Sequence, residues 1–446
     1  MKHLLLLGAG RSAPSLIQYL LAYCARSGHT LTLGDLDPEA ARAQIQGYAC
    51  AEAVAFDVQQ PEQRLAQISR ADLVVSLLPV SFHLLAARVC VELGKPLLTA
   101  SYVSDEIKAL DGEARAKGSL ILMECGLDPG IDHMSAMRII HRIRAGGGVL
   151  TAFETFTGGL LAPASALDNP WEYKFTWNPR NVVLAGMGGA RFIQEGRFKY
   201  IPYHRLFRRT EIIHIPGYGF FEGYGNRDSL KYLDIYGIPE VRTLYRGTLR
   251  RPGFSKTWDI FVQLGATDDT YRMERVGSMT HRHFINSFLY YDPHNSVELK
   301  LAHYMNLDID GQEMYKLRWL GMFDDTPVGL EQGTPAQILE HILKKRWSLA
   351  PGERDMIVMW HKFDYEQAGV PHQIQSHMVL EGIDPVQTAM ARTVGLPLGI
   401  AARHVLEGSI RGTGVQTPVT PAVYEPILDE LEQYGIRFAE REVQPA

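Results

Sequence analysis

The stretch ECGLDPGIDHMSAM, residues 124–137, gathers three carboxylates, Glu124, Asp128 and Asp132, with His133 and a Pro-Gly pair. Such residues can hold a metal ion, move a proton between a carboxylate and an amine or water, or open a helix. A metal reading needs more ligands at a recognisable spacing than the stretch supplies. Asp132 stands where an N-cap or first-turn acid is favoured by the helix dipole, and His133 reads as an ordinary first-turn residue. Asp128 is different: a carboxylate in a loop held by Pro129 and Gly130 can bind a substrate amine.

A second chemistry lies at the start of the chain. In HLLLLGAGRSAPSLIQYLLAYC, Gly8, Gly10 and Ala13 fit G-x-G-x-x-G/A, with Arg11 and Ser12 inside the turn. The first glycine allows a tight turn, the second lets a pyrophosphate approach the backbone, and the small third residue packs helix on strand. The helix N-terminus then offers N–H groups and a positive dipole end to phosphate. Asp35, at the end of TLTLGD, stands where an acid holds a ribose 2′-hydroxyl, and an anion there repels a 2′-phosphate. NAD is therefore expected over NADP. Asp35 and Asp37 also suit a turn cap before DPEAARAQI.

These groups must be positioned by strands and helices in alternation. AVAFDV, with Asp57 at its end, ADLVVSLLP, KPLLTASYVS and SLILMECGLDPG continue the pattern, and their apolar runs suit a parallel sheet covered on both faces. Ligands of such sheets lie beyond the strand C-termini, which groups Ser76, Leu77, Leu78, Pro79, Ser101, Tyr102 and Asp128. Beyond residue 150 the texture changes. LTAFETFTGGLLAPASALDNPWEYKFTW reads as a strand and a long functional loop. DMIVMWHKFDY and HQIQSHMVLEG look like an antiparallel pair, and between residues 255 and 350 helical patterns dominate. TPAQILEHILKKRW opens with Thr334 as N-cap, Pro335 at the first helical position and Gln337 to close a capping box. TAMARTVGLPLGIAARHVLEG is expected to be helical but interrupted at Gly395 to Pro397.

The motifs GAGRSAP, DLVVSLLP, TASYVS, GLDPGIDHM, GGLLAP, NPWEYKFTW, GNRDSLKY, YRGTLR, RDMIVM and AMARTVGLPLGIAA run in one order through nearly the whole chain. In them the sequence resembles the glutamate-forming saccharopine dehydrogenases. The resemblance implies oxidation of saccharopine to glutamate and 2-aminoadipate semialdehyde in lysine metabolism. It also implies substrate contacts at Ser101, Tyr102, Asp128, Arg227, Thr248 and Arg250, with Lys174 as an addition. Two guanidinium groups suit a substrate with several carboxylates. Asp128, with Tyr102, is the first choice for acid/base work, and His133 is a further candidate. Where many relatives carry a Cys, this chain has Thr157, which argues against obligatory thiol chemistry. The lysine–2-oxoglutarate reductase half of bifunctional relatives is expected to be absent, leaving one catalysed step.

The expected fold class is α/β. A Rossmann-type dinucleotide-binding domain over 1–125 is followed by a mixed α/β substrate domain over 126–384, carrying an all-helical insertion at about 255–350. A segment over 385–446 returns towards the first domain. With 46% hydrophobic and 21% charged residues and a net charge of −5, the 446 residues suit a globular enzyme and carry no basic footprint for nucleic acid. No apolar stretch approaches a membrane span. Four cysteines without C-x-x-C spacing point to a cytoplasmic setting and no structural metal, and a homodimer is the default assembly. Two rivals stay open. One is an imine reductase of polyamine metabolism, of the carboxynorspermidine or homospermidine synthase type; the other is an NAD-binding sensor without turnover.

Overall fold

The structure, a computed structural model, describes residues 1–444. It divides into two compact units. The first comprises Met1–Leu150, Tyr365–Pro371 and Met378–Glu440; the second comprises Thr151–Asp364, His372–His377 and the chain from Arg441.

Six short apolar runs of the first unit form parallel strands: β1 (His3–Leu7), β2 (Thr30–Asp35), β3 (Ala51–Ala55), β4 (Leu73–Ser76), β5 (Leu97–Thr99) and β6 (Leu120–Leu122). Their order is β3-β2-β1-β4-β5-β6, and Gly414–Gln416 adds a seventh parallel strand beside β6. Leu4 to Leu7 and Leu73 to Val75 are fully buried because helices cover both faces of the sheet. Proline begins the helices Pro14–Ser27, Pro38–Ile45 and Pro61–Arg70, where its missing N–H costs nothing.

The strand order reverses between β1 and β4, and the chain leaves those two strands in opposite directions. Their ends are in register, Leu7 opposite both Gly34 and Ser76. A concave site opens at such a switch point. Gly8 stands there at φ +100, and a Cβ on it would meet the Leu77 carbonyl oxygen at 3.0 Å.

The helix Ala389–Glu407 runs unbroken through Pro397, so the expected interruption at Gly395 to Pro397 does not occur. Gly395 is instead a contact point. A Cβ there would meet the Leu16 backbone nitrogen at 2.8 Å, and one on Gly399 would meet the Tyr19 ring at 2.8 Å. Burial of this face against the helix Pro14–Ser27 outweighs the local cost of the proline.

The second unit is built on a ten-stranded sheet. Thr243–Arg250 pairs parallel with Val149–Leu161 and antiparallel with Gly219–Gly225, so the sheet is mixed. Asp355–Gln367 and Val370–Glu381 are neighbours joined through Ala368 and Gly369. Between Arg250 and Asp355 the named elements are all helical: Phe254–Leu264, His281–Asn286, Val297–Met305, Gln312–Trp319 and Pro335–Trp347, with a short turn at Val276–Ser278. The Thr334 capping box forms, with Gln337 N–H donating to Thr334 Oγ1 (3.2 Å) and Thr334 N–H to Gln337 Oε1 (2.9 Å). Trp171, Trp258 and Trp347 are fully buried and stack edge and face with Phe254 into one aromatic core. Among the described residues no helix is long and apolar enough to cross a membrane.

Candidate active site

The glycine turn is held from three sides. Gly8 N–H donates to the Gly34 carbonyl (2.9 Å), Leu77 N–H to the Leu7 carbonyl (2.8 Å), and Ala9 N–H to Asp35 Oδ2 (2.7 Å). A Cβ on Gly10 would meet nothing within 4 Å, so the backbone there is open to an approaching group. The helix that follows has no acid in its first turn and no side-chain cap, leaving its positive end for a ligand anion. Ala13 is buried behind the turn, Ser12 is half-buried, and Arg11 is exposed in it. These residues fit a dinucleotide pyrophosphate: Gly10 and the helix start would hold it, and Arg11 supplies a cation.

Asp35 does not present a free carboxylate at the end of β2. Its Oδ2 takes the Ala9 N–H and its Oδ1 takes the Asp37 N–H at 2.9 Å. Asp37, in turn, caps the helix Pro38–Ile45. Asp57 accepts from Gln59 N–H at 2.9 Å and so shapes the turn before the helix Pro61–Arg70.

At the ends of β4, β5 and β6 the side chains are tied together. Ser76 is fully buried, its hydroxyl 2.9 Å from His83 Nδ1, and the other ring nitrogen lies 2.7 Å from the Ser101 hydroxyl. Burial pushes His83 down to about 4, which keeps the ring neutral. Leu77 and Leu78 are half-buried and Pro79 is exposed beyond them. Next along the chain from Ser101, the Tyr102 hydroxyl donates to Asp128 Oδ1 at 2.7 Å. Asp128 is half-buried, and its peptide bond to Pro129 is cis. His133 is fully buried and bonded to Glu124, 2.8 Å from Nε2 to Oε2. Among the described residues no group of three or more His, Cys, Asp or Glu side chains is arranged to hold a metal.

His83 and Glu124 were not singled out from sequence. His83 is one imidazole in the apolar helix His83–Glu92, and its partners come from the end of β4 and the loop after β5. Glu124 stands in the motif that drew attention to Asp128, but nothing local marks it as buried.

In the second unit Arg250 ends the strand Thr243–Arg250 and is only 5% exposed. Its Nη1 donates to the Leu249 carbonyl (2.8 Å), its Nε has no hydrogen-bond partner, and no carboxylate of the described residues pairs with it. The guanidinium lies 4.9 Å from the Tyr173 ring centre and 5.3 Å from that of Phe254. Thr248 is half-buried on the same strand, opposite Thr157 of Val149–Leu161. The buried Thr157 hydroxyl has no hydrogen-bond partner among the described residues. Lys174 is already paired: its Nζ donates to both oxygens of Glu353, at 2.8 and 2.6 Å. Arg227 is exposed, in left-handed backbone at φ 54.

The described geometry thus comprises a phosphate cradle, a tyrosine–carboxylate pair and an unpaired buried guanidinium. Comparison with known proteins gives this set a context. Residues 4–122 match the saccharopine dehydrogenase NADP binding domain, and residues 126–436 match the saccharopine dehydrogenase C-terminal domain. The chain belongs to the saccharopine dehydrogenase family. A Schizosaccharomyces pombe member, saccharopine dehydrogenase [NADP(+), L-glutamate-forming], is 32% identical over 450 residues, covering 99% of each chain. The structure of apo saccharopine dehydrogenase (L-Glu forming) from Saccharomyces cerevisiae superimposes with a TM-score of 0.88 at 31% identity, covering 99% of this chain and 100% of that one. The mitochondrial alpha-aminoadipic semialdehyde synthase of Bos taurus is 33% identical over 451 residues, 98% of this chain and 47% of its own.

The family corrects the expected cofactor. Its first domain is an NADP-binding one, and the Schizosaccharomyces pombe member is named for NADP(+), so NADP rather than NAD is supported. The geometry of Asp35 gives the physical reason the expectation failed. Both carboxylate oxygens are engaged by backbone N–H groups, Oδ2 by Ala9 of the glycine turn and Oδ1 by Asp37 of the loop after β2, so the acid braces the phosphate cradle against that loop and is a poor gauge of the ribose substituent.

Proposed function

We propose that this member of the saccharopine dehydrogenase family oxidises L-saccharopine to L-glutamate and 2-aminoadipate 6-semialdehyde with NADP. The observation that carries the reading is Arg250, a buried guanidinium without a carboxylate partner among the described residues. An unpaired buried cation is costly in a resting protein. Its Nε and remaining Nη can grip a ligand carboxylate with two parallel bonds, between aromatic walls that exclude water. Saccharopine carries three carboxylates. A polyamine would set cation against cation.

The bound dinucleotide supplies the hydride acceptor. The chain's own task is to hold substrate and move protons. The secondary amine must be neutral before hydride leaves its carbon, and water must then be deprotonated to open the imine. Asp128, fixed by the Tyr102 hydroxyl, takes the amine proton in this reading, and Tyr102 keeps the carboxylate oriented. Ser101, held by the neutral His83 ring, borders the same pair. Arg227 and Thr248 serve the remaining substrate oxygens, whereas Lys174, bound to Glu353, supports the loop behind Arg250. The four thiols are free, three of them buried, which fits a reducing compartment such as the cytoplasm.

The test is the initial rate of reduced-nicotinamide absorbance with purified protein, L-saccharopine and NADP. Turnover that releases glutamate supports the reading. Demonstrated NADP binding with no turnover of saccharopine, but turnover of a carboxylated polyamine, would replace it.

A further inference from the structure

Tyr102 and Asp128 sit on two different loops, and a buried series of hydrogen bonds and close polar contacts joins those loops. Glu124 is wholly buried and takes up left-handed backbone at φ 59, which is rare for such a side chain. Its N–H donates to the Ser101 carbonyl at 3.1 Å, and its Oε1 accepts from Val103 N–H at 3.0 Å. One residue therefore grips the backbone on both sides of Tyr102. Its Oε2 lies 2.8 Å from His133 Nε2. The other ring nitrogen lies 3.4 Å from Asp132 Oδ2. Asp132 Oδ1 then accepts from Gly130 N–H at 2.6 Å, and Asp132 N–H donates to the Leu127 carbonyl at 3.1 Å. Those two residues bracket Asp128 and Pro129.

Burying two carboxylates and an imidazole is expensive unless their bonds are made, and made bonds of this kind are stiff. Their outer ends fall on the peptide groups around Asp128, assigned to take the amine proton, and Tyr102, assigned to orient that carboxylate. We infer that Glu124, His133 and Asp132 are positioning residues that set the separation of Tyr102 and Asp128 without touching substrate. This inference rests on the proposed role of that pair. A misplacement of about 1 Å at a reacting group can cost roughly 100-fold in rate, so such a support has a catalytic effect at a distance.

The test is Glu124→Gln, which keeps size and an acceptor for Val103 N–H but removes the charge facing His133. The expected result is a kcat on saccharopine lower by roughly tenfold, a KM changed much less, and a displaced pH-rate profile. Backbone hydrogen exchange should rise together at residues 101–103 and 126–130. Asp132→Asn enters the same series from its other end and should give the same split, so the inference stays testable if one variant fails to fold. A folded variant with wild-type kcat and pH profile, or with faster exchange in one loop only, overturns it. Absence of saccharopine turnover in the wild type would instead remove the functional reading, and the paired exchange would still decide the coupling.

Discussion

The Tyr102 hydroxyl donates to Asp128 Oδ1 across 2.7 Å, and the two residues follow the adjacent parallel strands β5 and β6. A tyrosine bound to a carboxylate in this way fixes its direction. Asp128→Asn should fold normally and lose roughly 100-fold or more in kcat with saccharopine. The Tyr102→Phe variant should lose less, because the carboxylate remains. Steady-state rates across pH check both: the asparagine variant must lose the limb of the profile that reports the base.

Arg250 offers a different test. Arg250→Lys keeps the charge but not the two-pronged geometry, so KM for saccharopine should rise by roughly 100-fold while NADP affinity stays put. Isothermal titration of NADP alongside the kinetics separates the two. A variant with unchanged KM would place the substrate carboxylates elsewhere.

Asp35→Asn probes the corrected cofactor assignment. Because the carboxylate ties the glycine turn at Ala9 to the loop after β2 at Asp37, the amide should weaken NADP binding by about tenfold through the lost charge-assisted bonds. It should not convert the protein to NAD preference. Fluorescence titration of both reduced dinucleotides reads the ratio directly.

His83 makes stability depend on pH. Burial holds the folded imidazole at about 4, whereas in the unfolded chain it titrates near about 6.5. The unfolded state therefore binds more protons in that window. Stability contributed by the neutral ring is fully present above about pH 6.5 and is lost as the pH falls towards 4, by about 3 kcal/mol at most. His83→Gln, which has nothing to protonate, should melt at a temperature less dependent on pH between those values. Thermal melts of the two proteins side by side check it.

Strand and helix periodicity made the parallel sheet legible, because apolar runs between glycine and proline turns are local signals, while the resemblance to the family rests on motifs such as GLDPGIDHM and YRGTLR in one order. The direction of a side chain is not local. Asp35 stands at the end of β2 whichever way its oxygens point, and only the fold shows them turned onto Ala9 and Asp37. Lys174 reads as a free cation until the chain brings Glu353 to it from 179 residues away. His83 is silent in sequence, since Ser76 reaches it from the end of β4 and Ser101 from the loop after β5. The segment Gly395 to Pro397 looks like a break until its glycine is seen against Leu16.

That last contact also orders events in time. The helix Pro14–Ser27, which follows the glycine turn, leaves the ribosome well before Ala389–Glu407 does. The surfaces of Leu16 and Tyr19 that meet Gly395 and Gly399 stay uncovered until the ribosome has passed residue 399. The nucleotide-binding domain is thus begun long before it can be completed, and the nascent chain must keep an apolar helix face out of trouble while the residues between the two helices are translated.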